Sequence, residues 1–308
     1  MTKTVFIDGG AGTTGLEIAD RLAGRPDLSI LTLPDDRRKD AGARREAIND
    51  ADFVILCLPD DAAREAVSLI ANDRTRVVDA STAHRTAEDW VYGLAELEPD
   101  QAERIAAARF VSNPGCYPTG FLALVRPLVR AGIIPADWPV SVNAASGYSG
   151  GGKAMIAEYE SATNRAFRPY GLTLAHKHAP EMQRHSGLTH APIFAPAVVD
   201  TYRGMVVEVP LPLHALPGTP SLDNVVQVLA EAYADSRIVR FAPDDVAAVN
   251  IEENAGTDRM TLRVCGNAAT GQARLIATLD NLGKGAGGAA VQNLNIMAGL
   301  DPTAGLVL

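Results

Sequence analysis

Cysteine is scarce in this chain, cations are outnumbered, and long apolar runs are missing. Each absence removes a class of protein. Cys57, Cys116 and Cys265 are three cysteines at wide spacing in 308 residues. An odd, scattered set builds no disulfide framework and matches no zinc site, so no metal is expected. The formal net charge is −9, and no long cationic block interrupts it. Nucleic acid and anionic membrane are therefore not expected as partners. No stretch approaches the length of a membrane helix, and the first residues enter a strand pattern without a signal-peptide pattern. A cytoplasmic protein is expected. No internal repeat or low-complexity segment stands out. The chain is 47% hydrophobic and long enough for two ordinary domains.

What is present begins with glycine. Val5-Phe6-Ile7 leads into Asp8-Gly9-Gly10-Ala11-Gly12-Thr13-Thr14-Gly15, and Leu16, Ile18, Ala19 and Leu22 follow at helical spacing. Strand, glycine loop and helix in this order bring backbone N–H groups against a pyrophosphate. Gly10, Gly12 and Gly15 satisfy G-x-G-x-x-G, with Thr13 and Thr14 at the helix start. A second strand-like run, Leu28 to Leu33, ends in Pro34-Asp35-Asp36-Arg37-Arg38-Lys39, near the distance expected for a ribose-reading residue. Asp35 or Asp36 would favour NAD. Arg37, Arg38 and Lys39 would pair with a 2′-phosphate, and the balance of charge favours NADP.

The second feature is Asn113-Pro114-Gly115-Cys116-Tyr117-Pro118-Thr119. Phe110 and Val111 end an apolar strand pattern, while Phe121, Leu122, Leu124, Val125, Leu128 and Val129 recur at helical spacing. Cys116 is thereby expected at a helix N-terminus, where the dipole and open N–H groups favour a thiolate. Pro118 suits a first helical turn. A proton carrier is needed beside such a thiol. His176 and His178 flank Lys177 and precede Ala179-Pro180-Glu181, so an extended segment would point both rings the same way.

The first third of the chain alternates strand and helix patterns, with strands at Val5 to Ile7, Leu28 to Leu33, Asp52 to Leu58, Arg76 to Val78 and Arg109 to Val111. That alternation predicts a parallel sheet covered on both faces. Pro59 and the segment Asp79-Ala80-Ser81-Thr82-Ala83-His84-Arg85 follow two of these strands, so both loops should face the cofactor crevice. Beyond Cys116, strand patterns at Val140 to Ala144, Ile193 to Val199, Met205 to Leu211, Ile238 to Phe241, Met260 to Val264 and Ala273 to Leu279 predict a mainly antiparallel second sheet. A dinucleotide-binding domain over residues 1–115 with 281–308, and a catalytic and oligomerisation domain over 116–280, are expected.

A nucleotide fold, an activated cysteine and a histidine together suit a thioester-forming oxidoreduction of an acyl group. The cysteine segment, Ser146-Gly147-Tyr148-Ser149-Gly150-Gly151-Gly152-Lys153 and His176-Lys177-His178-Ala179-Pro180-Glu181 resemble the shorter form of the N-acetyl-gamma-glutamyl-phosphate reductases. Asp79 to Arg85, and Asp280-Asn281-Leu282-Gly283-Lys284-Gly285-Ala286, resemble segments of the wider semialdehyde dehydrogenase superfamily. The resemblance implies a Rossmann-type domain beside a glyceraldehyde-3-phosphate-dehydrogenase-like catalytic domain, NADPH-dependent reduction of N-acetyl-glutamyl 5-phosphate to the 5-semialdehyde with release of phosphate in arginine biosynthesis, and a homo-oligomer, dimer or tetramer. It implies Cys116 as nucleophile and His178 or His176 as acid and base. Arg85, Ser146, Tyr148, Lys153 and Glu181 would then bind substrate. The cofactor would meet Gly10, Gly12, Thr13, Thr14, Gly15, Arg37, Arg38, Pro59, Ser81, Gly150 and Asn281. Aspartate-semialdehyde and N-acetyl-aminoadipate-semialdehyde dehydrogenases are the neighbouring alternatives, since one methylene changes pocket binding by only about 1–3 kcal/mol. An NADP-binding redox sensor using Cys116 as its switch is the alternative from another class.

Overall fold

A computed structural model describes residues 2–161, 166–244 and 246–308. Its contacts divide the chain into two units, Met1–Gly115 with Ala286–Leu306, and Cys116–Gly285 with Val307–Leu308.

The first unit opens with β1 (Lys3–Asp8), α1 (Thr13–Leu22), β2 (Leu28–Leu31), α2 (Ala41–Asp50), β3 (Phe53–Leu56), α3 (Asp60–Ser68), β4 (Arg76–Asp79), β5 (Val91–Tyr92), α4 (Gln101–Ala107) and β6 (Phe110–Ser112). The strands lie in the order β2-β1-β3-β4-β6-β5, and every pairing is parallel. A parallel sheet is covered on both faces, so its strands are apolar throughout, and all four residues of β3 are buried. Successive residues serve opposite faces. Val5, Ile55 and Val78 pack with Ile18 and Leu22 of α1 and Ile105 of α4, whereas Phe6, Val54 and Val77 pack with Ile48 of α2 and Ala63 of α3. Register pairs Asp8 with Leu56, Leu56 with Asp79, and Asp79 with Ser112. Four strands thus end in one row. The chain order reverses about β1, which marks this edge as the topological switch point where such sheets take ligands.

The second unit begins with α5 (Cys116–Arg130) and β7 (Ser141–Gly147), followed by a 3₁₀ turn over Tyr148–Gly151. It continues through α6 (Gly152–Ser161), β8 (Phe167–Pro169), α7 (Ala179–Ser186), β9 (Ile193–Val199), β10 (Met205–Pro212), α8 (Leu222–Ala232), β11 (Val239–Phe241), β12 (Met260–Asn267) and β13 (Gln272–Leu279). Its sheet runs β11-β12-β13-β10-β7-β9-β8. Four of the six pairings are antiparallel, while β11 with β12 and β7 with β9 are parallel. Burial alternates strictly along β10, with Met205, Val207, Val209 and Leu211 buried. Helix α5 covers that face. Gly120 permits the close approach, since a Cβ there would stand 2.8 Å from Val207 Cγ2.

A short π-helical turn, Gly283–Gly287, carries the chain back to the first unit, where α9 (Gly288–Ala298) adds Ala290, Val291 and Leu294 to the Val5–Ile18 core. Some local expectations are corrected here. Strand β3 stops at Leu56, so Cys57 lies beyond it, and Pro59 is the N-cap of α3. Strands β5 and β8 were not expected.

Candidate active site

Cys116 is the first residue of α5 and is half-buried, with Tyr117, Pro118 and Thr119 buried behind it. The N–H groups of this first turn have no acceptor within the helix, so the local field favours an anion. Gly285 packs directly against the residue, since a Cβ on it would stand 2.9 Å from Cys116 Cβ. Cys57 contrasts with it. Burial first, then Asp79 and Asp8, push the Cys57 thiol up to about 12, which makes it inert.

Aromatic and imidazole rings gather around the start of α5. The Tyr117 hydroxyl donates to the Ala197 carbonyl at 3.2 Å and accepts from the Tyr170 hydroxyl at 3.3 Å. Burial, then Tyr170 and the charge of Cys116, hold the Tyr117 phenol well above the usual range. Burial pushes Tyr170 up to about 12, opposed by its bond to Tyr117 and aided by Cys116. Both phenols therefore keep their protons at neutral pH. His176 meets Tyr170 edge-on at 5.6 Å, Phe194 at 5.0 Å and His178 at 4.8 Å between ring centroids. Its Nδ1 lies 3.2 Å from the His178 backbone N–H and accepts from it. Burial, then Lys177, presses the His176 pKa below its ordinary value, while Glu181 acts against them.

The two histidines do not lie on an extended segment. Pro180 starts α7 so early that His178 becomes its N-cap, with φ −84° and ψ −14°, and the rings meet at an angle instead of pointing together. His178 is buried, as is Glu181 in the first turn of α7. Ser146, buried at the end of β7, donates to the Gly147 carbonyl. A Cβ on Gly150 would stand 3.3 Å from Ser146 Oγ and 3.2 Å from Asn281 Nδ2. Asn281 donates to Ser149 Oγ at 2.8 Å and accepts from the Gly204 N–H at 3.0 Å. Ser146, Gly150 and Asn281 are thus brought together. Tyr148 instead stacks on Tyr159 at 5.0 Å, and Lys153 is exposed on α6.

In the first unit the glycine turn is shaped for close approach. Gly9 has φ +86°, and a Cβ on it would run into the Cys57 carbonyl. A Cβ on Gly15 would stand 2.6 Å from Gly10 Cα. Gly12 is the N-cap of α1 and supplies no side chain, and no acid stands in the first turn. The N–H groups of Thr13, Thr14 and Gly15 therefore form an uncapped cradle that fits a pyrophosphate. Arg37 and Arg38 are exposed beyond β2, Arg38 lying 3.3 Å from Asp35, and Pro59 is exposed at the start of α3. Ser81 N–H and Oγ both donate to Asp79, at 2.9 and 2.7 Å. Arg85 is buried and donates through Nε to the Asn113 carbonyl at 2.9 Å and through Nη2 to the Ala80 carbonyl at 3.0 Å.

Sequence reasoning missed several polar residues of these sites. Asp79 is fully buried and also pairs with His84 Nδ1 at 2.6 Å, while the His84 ring stacks on Trp90 at 4.2 Å. Asp8 is buried against Arg44 at 3.0 Å, and burial raises its pKa in spite of that partner. Each is the last residue of an apolar strand, a position that sequence alone exposes. Tyr170 carries no such signal, because only the fold brings it to Tyr117.

Residues 116–281 match the family model of the semialdehyde dehydrogenase dimerisation domain, and residues 4–105 match that of the semialdehyde dehydrogenase NAD binding domain. The chain is 50% identical to N-acetyl-gamma-glutamyl-phosphate reductase 2 of Nostoc sp. over 322 aligned positions, covering 98% of each. It is 53% identical to the N-acetyl-gamma-glutamyl-phosphate reductase of Brucella anthropi, over 97% of this chain and 99% of that one. Among solved structures it resembles aspartate semialdehyde dehydrogenase II of Vibrio cholerae in complex with ASA, with a TM-score of 0.74 and 14% identity over 97% of this chain and 98% of that one. The aspartate semialdehyde dehydrogenase of Candida albicans with NADP gives a TM-score of 0.67 and 13% identity over 97% of this chain and 99% of that one. Structural likeness at that identity speaks for the fold, whereas half the residues held in common over the full length speak for the family. With its cysteine-headed helix and its uncapped glycine turn, this chain belongs to the N-acetyl-gamma-glutamyl-phosphate reductases of the semialdehyde dehydrogenase family.

Proposed function

We propose that this chain reduces N-acetyl-L-glutamyl 5-phosphate to N-acetyl-L-glutamate 5-semialdehyde with NADPH, releasing phosphate, as a step of arginine biosynthesis. The observation that carries the chemistry is the half-buried thiol of Cys116 at the head of α5, with two protonated phenols in its electrostatic reach. The Cys116 thiolate attacks the acyl carbon, the bond from that carbon to the phosphate oxygen breaks, and inorganic phosphate leaves. Arg85 meets the departing phosphate. Its guanidinium, gripped on two carbonyls, is oriented before substrate arrives. Bound NADPH supplies the two electrons and the hydrogen that turn the acyl group into the aldehyde. Gly10, Gly12, Thr13, Thr14 and Gly15 would hold its pyrophosphate and Arg37 and Arg38 its 2′-phosphate. In the last step the oxyanion left on the acyl carbon reforms the carbonyl, the carbon–sulfur bond breaks, and a histidine gives its proton to the departing sulfur, which restores the thiol.

That histidine is His178 in this reading. Support comes from His176, whose Nδ1 is already occupied by the His178 N–H and whose pKa is depressed, so it stays neutral and orients its neighbour. Self-association is part of the reading. Phe167, Leu172 and Leu174 expose apolar surface around one cleft beside β8 and β9, a surface suited to a second copy. No described helix is long and apolar enough to cross a membrane, and none of the three cysteines is in a disulfide, as suits a reducing cytoplasm.

The test is phosphate-dependent reduction of NADP, run with N-acetyl-glutamate 5-semialdehyde, aspartate semialdehyde and the N-acetyl-aminoadipate homologue. Selective turnover of the first is expected. Preference for another aldehyde overturns the substrate assignment, and turnover of none overturns the reaction.

A further inference from the structure

Asn113 uses all four of its hydrogen-bonding groups within the first unit, two on the Asp79–Arg85 segment and two on the returning chain. Its backbone N–H donates to the Asp79 carbonyl at the end of β4 at 2.7 Å, and its carbonyl accepts from Arg85 Nε at 2.9 Å. Its Nδ2 donates to the Ala286 carbonyl at 3.0 Å, and its Oδ1 accepts from Asn293 Nδ2 of α9 at 3.0 Å. Both amides are buried, and Asn293 also donates to the Gly93 carbonyl at 2.8 Å. A surface asparagine makes no such set of bonds.

The positions of these partners give the bonds a consequence. The chain leaves the first unit after Gly115 and re-enters it at Ala286. The Nδ2 bond therefore ties the outgoing backbone to the returning one, two residues before the exit. One step beyond each end, in the second unit, Gly285 packs against Cys116 with no room for a side chain. Only Pro114 and Gly115 separate Asn113 from Cys116, and Pro114 has a fixed φ, so an error at Asn113 is carried toward the start of α5.

We propose that Asn113 is a positioning residue for the reaction, holding Arg85 through its carbonyl and, through its side chain, the paired backbone segments that set where Cys116 begins its helix. The proposal rests on the reading of Cys116 as nucleophile and Arg85 as phosphate contact. Only an asparagine meets these demands. Aspartate would set an acceptor against the Ala286 carbonyl, alanine would leave that carbonyl without this bond and the Asn293 amide with only its bond to Gly93, and glutamine would need room for another methylene in a closed site.

Asn113→Asp, Asn113→Ala and Asn293→Ala test it. The readouts are kcat, KM for phosphate and NADP in the reverse reaction, NADPH binding by fluorescence, and the rate at which iodoacetamide modifies Cys116. In Asn113→Asp, kcat is expected to fall about 10- to 100-fold, the scale on which small misplacements act. KM for phosphate should rise, NADPH binding should stay within about twofold, and Cys116 should react severalfold more slowly. Asn293→Ala removes one bond of the set and should lose less. Adding it to Asn113→Ala should cost less than it costs alone, because the Asn113–Asn293 bond is already gone and only the Asn293–Gly93 bond remains to be lost. Wild-type kcat in folded Asn113→Asp or Asn113→Ala, or fully additive losses in the double variant, overturns the proposal. Should Asn113→Ala not fold, Asn293→Ala carries the same test alone. A wild-type protein without turnover refutes the reading beneath the proposal, and the alkylation rate then decides the tie, since unchanged Cys116 reactivity in all three variants overturns it.

Discussion

Two loops of the first unit carry the arginines that the proposed reaction assigns to phosphate, and they are built in opposite ways. The segment from Asp79 to Arg85 is knotted. Asp79 is wholly buried and binds Ser81 and His84, Thr82 donates to Asp60 through N–H and hydroxyl, and Arg85 grips two carbonyls. The segment from Pro34 to Asp40 is open, with Arg37 and Arg38 exposed and a single ion pair to an exposed Asp35. A buried arginine with fixed geometry suits a phosphate that departs during chemistry, where misplacement is felt in the rate. Solvated arginines suit recognition of a cofactor by charge, which is weak for each contact and screened by salt.

That contrast breaks if the two loops respond alike. Arg85→Lys keeps the charge and loses the planar fork, so kcat/KM for the acyl phosphate should fall roughly 100-fold while NADPH binding holds, as steady-state kinetics and a binding titration will read. Arg37→Ala and Arg38→Ala should each raise KM for NADPH by at most about fivefold, leave KM for NADH unchanged, and lose most of that effect at high salt. Equal losses in the two sets would erase the distinction. The smallest expected effect concerns His176. Its folded pKa is depressed, so below the unfolded value of about 6.5 the unfolded chain binds the proton more readily, and stability declines as pH falls through that value. His176→Gln should flatten the decline in melting temperature below about pH 6.5, measured by thermal unfolding across a pH series.

Much of the fold was legible because burial writes itself into apolar runs. Strands β1, β3, β4 and β6 are such runs, and their parallel sheet followed from the helical patterns between them. Strand β5 has two residues and β8 has three, one of them Arg168, so neither shows a period. Cys116 at the head of α5 was readable from proline and glycine punctuation. The arrangement of His176 and His178 was not, because Pro180 draws His178 into the helix cap and the extended reading fails there. The four bonds of Asn113 involve partners far apart in sequence. Residue type announces a hydrogen-bonding capacity, and only the folded chain shows where it is spent.

The proposed thioester on Cys116 is open to mass spectrometry of the protein mixed with N-acetyl-glutamyl phosphate in the absence of NADPH. An N-acetyl-glutamyl adduct is expected on the peptide bearing Cys116, discharged when NADPH is added and absent from Cys116→Ser. An active protein that forms no adduct, or a Cys116→Ser variant that keeps its turnover, would contradict it.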